Sequence, residues 1–395
     1  MAVIMVSSKH DQLFITYMTA KILAMIKAAP TKKLMVFAAV SRAFVFTTAL
    51  TSNAIFGMRR CNDCWNIDFP FINLFSRWDS GYYADIALKG YDNLITAKWE
   101  FFPGYPILIG TLGRLFALAT HAQLLLVIHF AGFVVSNLAF FVSVHYFYKL
   151  SMIVLSNARL AYKSTILLAF YPAGVFLSAV YSDSFFLMLT IGSLYYWRVE
   201  KLGKSAALGF LAALTRPVGI LLLVPFLYEL LVESSRRKTA LSYLPAITVV
   251  LGYSVFMIYS LLMTGTLFAN FEAERMLWGV TLHPMDRLQL DFKELFTNPI
   301  IIPYLILSTA AMIGSISTVR GRSETAFSLY AACLLATYLL APLDSFPRYS
   351  IMLIPLYWVL ARWSKNSYAK SLIYVMFFVL SVIGTGLFVN WYSFY

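Results

Sequence analysis

The sequence predicts an all-α polytopic membrane protein, and three observations carry that expectation. Of 395 residues, 60% are hydrophobic and only 12% charged, against roughly a quarter charged in an average soluble domain. Apolar runs long enough to span a bilayer, about 20 residues at 1.5 Å rise, recur from end to end. The net charge of +13 is sorted by side rather than spread along the chain.

Spans are expected at 34–56, 122–148, 163–181, 184–199, 205–215, 218–232, 241–263, 300–318, 325–342, 348–362 and 371–391, a bundle of about 11 helices. One set of connections, with Lys9, Lys21 and Lys27 before the first span, collects 19 basic residues and five acids. The opposite set holds 11 basic residues and 13 acids, and Arg42 lies inside the first span. Basic connections face the cytoplasm. The charge therefore reports membrane orientation, and no nucleic-acid partner is expected.

Taken in order, residues 1–33 read as a cytoplasmic or interfacial N-terminus. The stretch 13–29 carries Lys21 and Lys27 and has no clean apolar core, so it is not a cleavable signal. Residues 11–28 read as an amphipathic helix on the membrane surface. Two long external loops follow, at 57–121 and 264–299. Together they hold 11 of the 18 acids, so any chemistry should face outward. Residues 102–118 look like another span, but a full crossing there would put the later basic clusters outside. They are therefore expected to form a short or re-entrant element, tolerated at membrane depth where protein buries it. No segment reads as a separate soluble domain; residues 1–395 form one integral-membrane unit.

The first loop contains a polar island, R-W-D-S-G-Y-Y-A-D-I-A (77–87), followed by E-F-F-P-G-Y-P (100–106). Carboxylates are expensive near a bilayer, so such a cluster is a functional-site candidate. Trp78, Tyr82 and Ile86 recur at helical spacing and would anchor a helix lying flat on the membrane. Asp79 then sits near the helix start, where the positive dipole end favours an ionised carboxylate. Such a group can act as general base toward a hydroxyl or position it. Asp85 and Glu100 are further acidic candidates, and Arg77 and Lys89 could contribute positive charge.

Three more polar positions interrupt apolar segments. Asp183 ends Y-P-A-G-V-F-L-S-A-V-Y-S-D, Arg216 precedes a helix-breaking proline in L-T-R-P-V-G, and Arg348 lies in S-F-P-R-Y-S with Asp344 nearby. An arginine near the membrane snorkels or clamps a phosphate oxygen pair. That Arg216 and Arg348 both map to the side with the acids favours the clamp. Cys61 and Cys64 form C-N-D-C in the first loop. Two cysteines do not complete a structural zinc site, and a disulfide across so short a loop is strained, so a structural or incidental role is expected. Cys333 reads as small core filler. No compact ligand motif compels a metal, and neither metal nor organic cofactor is expected.

The stretch W-D-S-G-Y-Y-A-D-I-A-L-K-G-Y (78–91), then W-E-F-F-P-G-Y-P (99–106), resembles the first external loop of the PIG-V-type mannosyltransferases, which include the second mannosyltransferase of GPI-anchor synthesis and prokaryotic relatives. The likeness continues in order through 171–186, 211–219, 265–279 and 346–357, with Tyr171 in place of the usual Asn and Asp183 where Glu is common. The resemblance implies a GT-C glycosyltransferase that takes a sugar from a polyprenyl-phosphate carrier, transfers it to a glycan or glycolipid acceptor outside the membrane, and inverts the anomeric carbon. It implies Asp79 as base; Asp85 is a second candidate, and substrate contacts are expected from Arg77, Trp78, Tyr82, Lys89, Glu100, Asp183, Arg216 and Arg348. The shorter chain implies a prokaryotic relative in a plasma membrane, or the endoplasmic reticulum if eukaryotic. A transporter or flippase is the alternative, disfavoured because transporters place charges near the midplane. A non-catalytic assembly subunit is a third reading.

Overall fold

The computed structural model describes residues 31–59, 66–232, 239–278, 284–317 and 322–392. The helix expected at 11–28, and Cys61 and Cys64, lie outside the described residues. Among those described the regular structure is all helical. The helices run α1 (Thr31–Phe56), α2 (Pro70–Leu74), α3 (Ser80–Lys89), α4 (Gly104–Thr120), α5 (Leu124–Leu155), α6 (Ala158–Ala169), α7 (Asp183–Arg198), α8 (Leu202–Thr215), α9 (Leu223–Val232), α10 (Leu244–Thr264), α11 (Ala269–Trp278), α12 (Pro284–Thr297), α13 (Ile301–Ser317), α14 (Arg322–Leu340), α15 (Phe346–Tyr349), α16 (Ile354–Trp363) and α17 (Ser367–Val389).

By length and hydropathy, four described helices can cross a membrane: α1, α5, the stretch ending in α10, and α17. A fifth is added if Gln289–Thr297 and Ile301–Ser317, which meet at 120°, are counted as one span. Four more apolar helical stretches are shorter, at 10–17 residues. The chain is thus a helical membrane protein; among the described residues four or five spans are full-length by this measure, and other expected spans are short or broken.

Two breaks correct the sequence reading. The span expected at 163–181 ends at Ala169; a 3₁₀ turn covers Gly174–Leu177, and α7 starts at Asp183. Pro172 has no N–H to continue the helix. The span at 348–362 is likewise split into α15, a 3₁₀ turn at Ser350–Met352, and α16, with Pro347 and Pro355 opening the two helices.

Arg42 makes the first break possible. Buried at 3% exposure in α1, it donates from Nη1 to the Gly174 carbonyl (2.7 Å) and Ser178 Oγ (3.0 Å), and from Nη2 to the Ala169 carbonyl (3.4 Å). Its guanidinium also lies 4.1 Å from the Phe140 ring centroid. Carbonyls released by an unwound helix need donors, and here one side chain supplies them. Arg42→Leu should cost roughly 1–3 kcal/mol for each stranded group, seen as a lowered thermal unfolding midpoint of the purified protein. An unchanged midpoint would show that those oxygens are satisfied without Arg42.

Helix α3 is not a flat membrane anchor. Ser80, Gly81, Tyr83, Ala84, Ile86 and Ala87 are all buried, and α3 packs on α4 and α5. Trp78 packs on Trp391 at 5.0 Å and Tyr82 stacks on Phe101 at 5.2 Å. Close backbone packing explains the change: a Cβ on Gly110 of α4 would lie 2.8 Å from the Ala87 carbonyl oxygen of α3. The short element expected at 102–118 is unbroken helix, α4. It turns at His121 (φ 54°) and folds back along α5. Tyr105 Oη donates to the Gly132 carbonyl at 3.0 Å across that hairpin.

Candidate active site

Local backbone forces set the position of Asp79. Trp78 adopts φ 50°, a left-handed conformation uncommon for a bulky side chain, and Asp79 follows as N-cap of α3. The turn is braced from the far end of the chain. Arg77 Nε donates to the Val389 carbonyl (3.1 Å), and its guanidinium lies 5.3 Å from the Trp391 ring. The Asp79 backbone N–H donates to Tyr181 Oη at 3.1 Å.

Arg216 is presented by a chain reversal. Helix α8 stops at Thr215, Arg216 is extended (φ −148°, ψ 147°), and Pro217 opens a 3₁₀ turn through Leu222. That turn folds onto the end of α8 so closely that a Cβ on Gly219 would lie 2.6 Å from the Ala212 carbonyl oxygen. Only glycine fits there without a backbone shift.

Two buried ion pairs result. Arg348 Nη1 pairs with Asp79 Oδ2, and Arg216 Nη1 pairs with Asp183 Oδ1 at 2.6 Å. Tyr349 joins them: its ring centroid is 5.0 Å from the Arg348 guanidinium carbon and 5.6 Å from that of Arg216. Its hydroxyl accepts from Arg348 Nη2 at 3.3 Å, and its ring stacks on Tyr338 at 4.8 Å. Two cations are thereby held side by side, against the repulsion between them, by two carboxylates and an aromatic face.

A cavity of about 330 Å³ opens over this arrangement. Asp79, Glu100, Arg216 and Arg348 all line it, with Tyr83, Tyr253, Asn270, Glu274, Tyr338 and Tyr349. Val218, Ile220, Leu221, Leu340, Ala341 and Pro342 give it an apolar flank. Asp183 stands one step behind the wall, through Arg216.

The remaining sequence candidates lie elsewhere. Asp85, expected as a second base, does not line the cavity. It is bound by Lys89 and Lys98, each at 2.8 Å. Burial works to raise its pKa, but the hydrogen bonds and charges of the two lysines outweigh that and hold it below the ordinary value. Lys89 is exposed and spent on this pair. Arg77, Trp78 and Tyr82 brace α3 and the loop instead of facing the cavity. Asp344 accepts from Asn298 at 3.0 Å. Among the described residues, no three His, Cys, Asp or Glu side chains converge as metal ligands.

The sequence reading passed over Asn270, Glu274, Tyr338 and Tyr349. The second-loop motif and the Arg-Tyr pair at 348–349 both flagged the segments, but not which side chains turn inward. Desolvation raises the Glu274 carboxyl from 4.5 to about 7. The folded state then holds this proton where the unfolded chain has lost it, so stability declines as pH rises from the ordinary carboxyl range through about 7. Glu274→Gln should flatten that part of a plot of unfolding midpoint against pH. An equally steep plot for the variant would place the titration elsewhere.

The fold is that of a helical membrane protein, and it is shared with solved membrane proteins. An Archaeoglobus fulgidus oligosaccharyltransferase in its apo form aligns with TM-score 0.53 at 10% identity, covering 91% of this chain and 56% of that one. ArnT from Cupriavidus metallidurans, bound to undecaprenyl phosphate, aligns with TM-score 0.50 at 14% identity, covering 90% and 64%. The chain belongs to the family described as Mannosyltransferase (PIG-V), whose pattern matches residues 47–271. Among its relatives, GPI alpha-1,6-mannosyltransferase 2 of Cricetulus griseus is 37% identical over 148 residues, 36% of this chain and 28% of that protein. GPI mannosyltransferase 2 of Gibberella zeae is 29% identical over 122 residues, 31% and 27%. The chain thus matches little more than a quarter of the length of these curated relatives.

Proposed function

We propose that the protein is an inverting mannosyltransferase. It moves the sugar from a polyprenyl- or dolichyl-phosphate carrier to a hydroxyl of a lipid-linked or glycan acceptor, at the non-cytoplasmic face of its membrane. The observation that carries this reading is the meeting of Asp79, Arg216 and Arg348 on one cavity with an apolar flank. Base and phosphate clamp must address one small reacting centre. The ArnT relative in fold, bound to undecaprenyl phosphate, supports a carrier of that kind.

In the proposed step the acceptor oxygen bonds to the anomeric carbon as its proton passes to Asp79. The bond from that carbon to the phosphate oxygen breaks, and its electron pair leaves on the phosphate. Arg216 and Arg348 neutralise the charge gathering there, the interaction that contributes most to such a reaction. Val218, Ile220 and Leu221 give the polyprenyl chain an apolar path in from the bilayer. The site faces outward because the basic connections face the cytoplasm.

The test is transfer of labelled mannose from polyprenyl-phosphate mannose to a glycolipid acceptor by the reconstituted protein. Labelled product supports the reading. Uptake of the donor across vesicles without product would replace it with the transporter alternative.

A further inference from the structure

We infer that Asn270 and Glu274 form a subsite for sugar hydroxyls, an assignment that rests on the transferase reading above and names a binding contact within it. The two residues are one helical turn apart on α11, so their side chains share a face, and both line the cavity with Asp79. Asn270 is only 2% exposed, and its Oδ1 has no hydrogen-bond partner. A buried amide oxygen left without a donor costs roughly 1–3 kcal/mol. A ligand donor reaching this oxygen through the cavity would remove that cost.

The helix cannot turn that oxygen toward another donor at small cost. Ala269 and Ala273 on the adjoining face are fully buried against the aromatic cluster of Trp99, Phe102 and Phe256. The Ala269 N–H donates to Ser260 Oγ at 3.4 Å, and Thr266 Oγ1 donates to Glu272 Oε1 at 3.0 Å, which ties both ends of the entering turn.

The chemistry of the pair selects its ligand. The unpartnered Asn270 oxygen accepts hydrogen bonds, and the Glu274 carboxyl, which burial keeps partly protonated near neutral pH, can accept or donate one, so the pair suits hydroxyl groups, which do both. Phosphate belongs with Arg216 and Arg348. A ligand with adjacent hydroxyls is what remains, and the site offers two sources: the mannosyl group of the donor, and the acceptor glycan. A subsite built to bind hydroxyls also rejects analogues that lack them, because its acceptors are then left unpaired.

The experiment uses the full chain in lipid nanodiscs and methyl α-mannoside as probe, read by saturation-transfer NMR. Asn270→Leu and Glu274→Ala should each weaken the mannoside by about five- to tenfold, the loss of one hydrogen bond. Asn270→Asp, which keeps an acceptor, should retain binding. Unfolding midpoints near that of the wild type certify the fold of each variant. In transfer assays, a raised KM for the acceptor alone assigns the subsite to the glycan, and a raised KM for the donor alone assigns it to the mannosyl group. Unchanged mannoside binding and unchanged KM values, in an enzyme that still transfers, overturn the subsite. Mannoside binding lost in the variants of a protein with no transferase activity overturns the transferase reading and leaves the subsite standing.

Discussion

Asp79→Asn is expected to leave the protein folded and to lower sugar transfer by roughly 10²–10⁴-fold, the usual contribution of a general base. The substitution preserves shape and the N-cap position, and the amide oxygen can still accept from Arg348. What it removes is the capacity to take a proton from the acceptor hydroxyl as the new bond forms. Binding of the proposed lipid-phosphate donor should persist, since its proposed clamp is Arg216 and Arg348, so the loss is expected in kcat. Near-normal turnover would dismiss Asp79 as base. The neighbouring substitution Asp85→Asn supplies the contrast: its carboxylate serves Lys89 and Lys98 outside the cavity, so transfer should change little.

Asp183→Ala carries the largest expected effect on stability. Asp183 is fully buried and Arg216 nearly so. Removing the carboxylate strands a guanidinium in low dielectric, which typically costs 3–5 kcal/mol, about the magnitude seen when one partner of a buried pair is lost. The cost should appear as a sharp drop in unfolding midpoint, with activity falling beyond what the unfolded fraction explains, because Arg216 no longer has a fixed place. Asp183→Glu keeps the charge and should recover part of the stability. A midpoint unchanged in Asp183→Ala would mean that water or lipid phosphate already compensates Arg216.

Much of this arrangement is legible in the amino-acid sequence. The density of apolar residues and the one-sided charge fix the helical membrane class, since both follow from bulk transfer energies summed over long windows. Asp79, Glu100, Arg216 and Arg348 stood out because charge is costly where they lie. Other features were hidden for a physical reason. Whether Trp78, Tyr82 and Ile86 face lipid or protein depends on what packs on α3, and the glycine that allows the close approach, Gly110, lies on another element, α4. The break at 170–182 could be suspected from Pro172, but its partner Arg42 is 132 residues away from Gly174. Asn270 and Glu274 looked like ordinary loop polarity, because only the packing of Ala269 and Ala273 decides which side of α11 turns inward.

The bracing of Arg77 and Trp78 by the end of α17 has a consequence for biosynthesis. The two contacts join residues 312 or more positions apart, so the first loop waits for its support until the last described helix has been translated and inserted. During that interval Trp78 has no indole to hold its strained turn, and Asp79 is not yet aimed at Arg348, itself made late. On the proposed function, nascent protein would therefore sit in the membrane without an assembled site for most of its synthesis. A chain released early, for instance at residue 363, should insert most of its helices and still lack a working site.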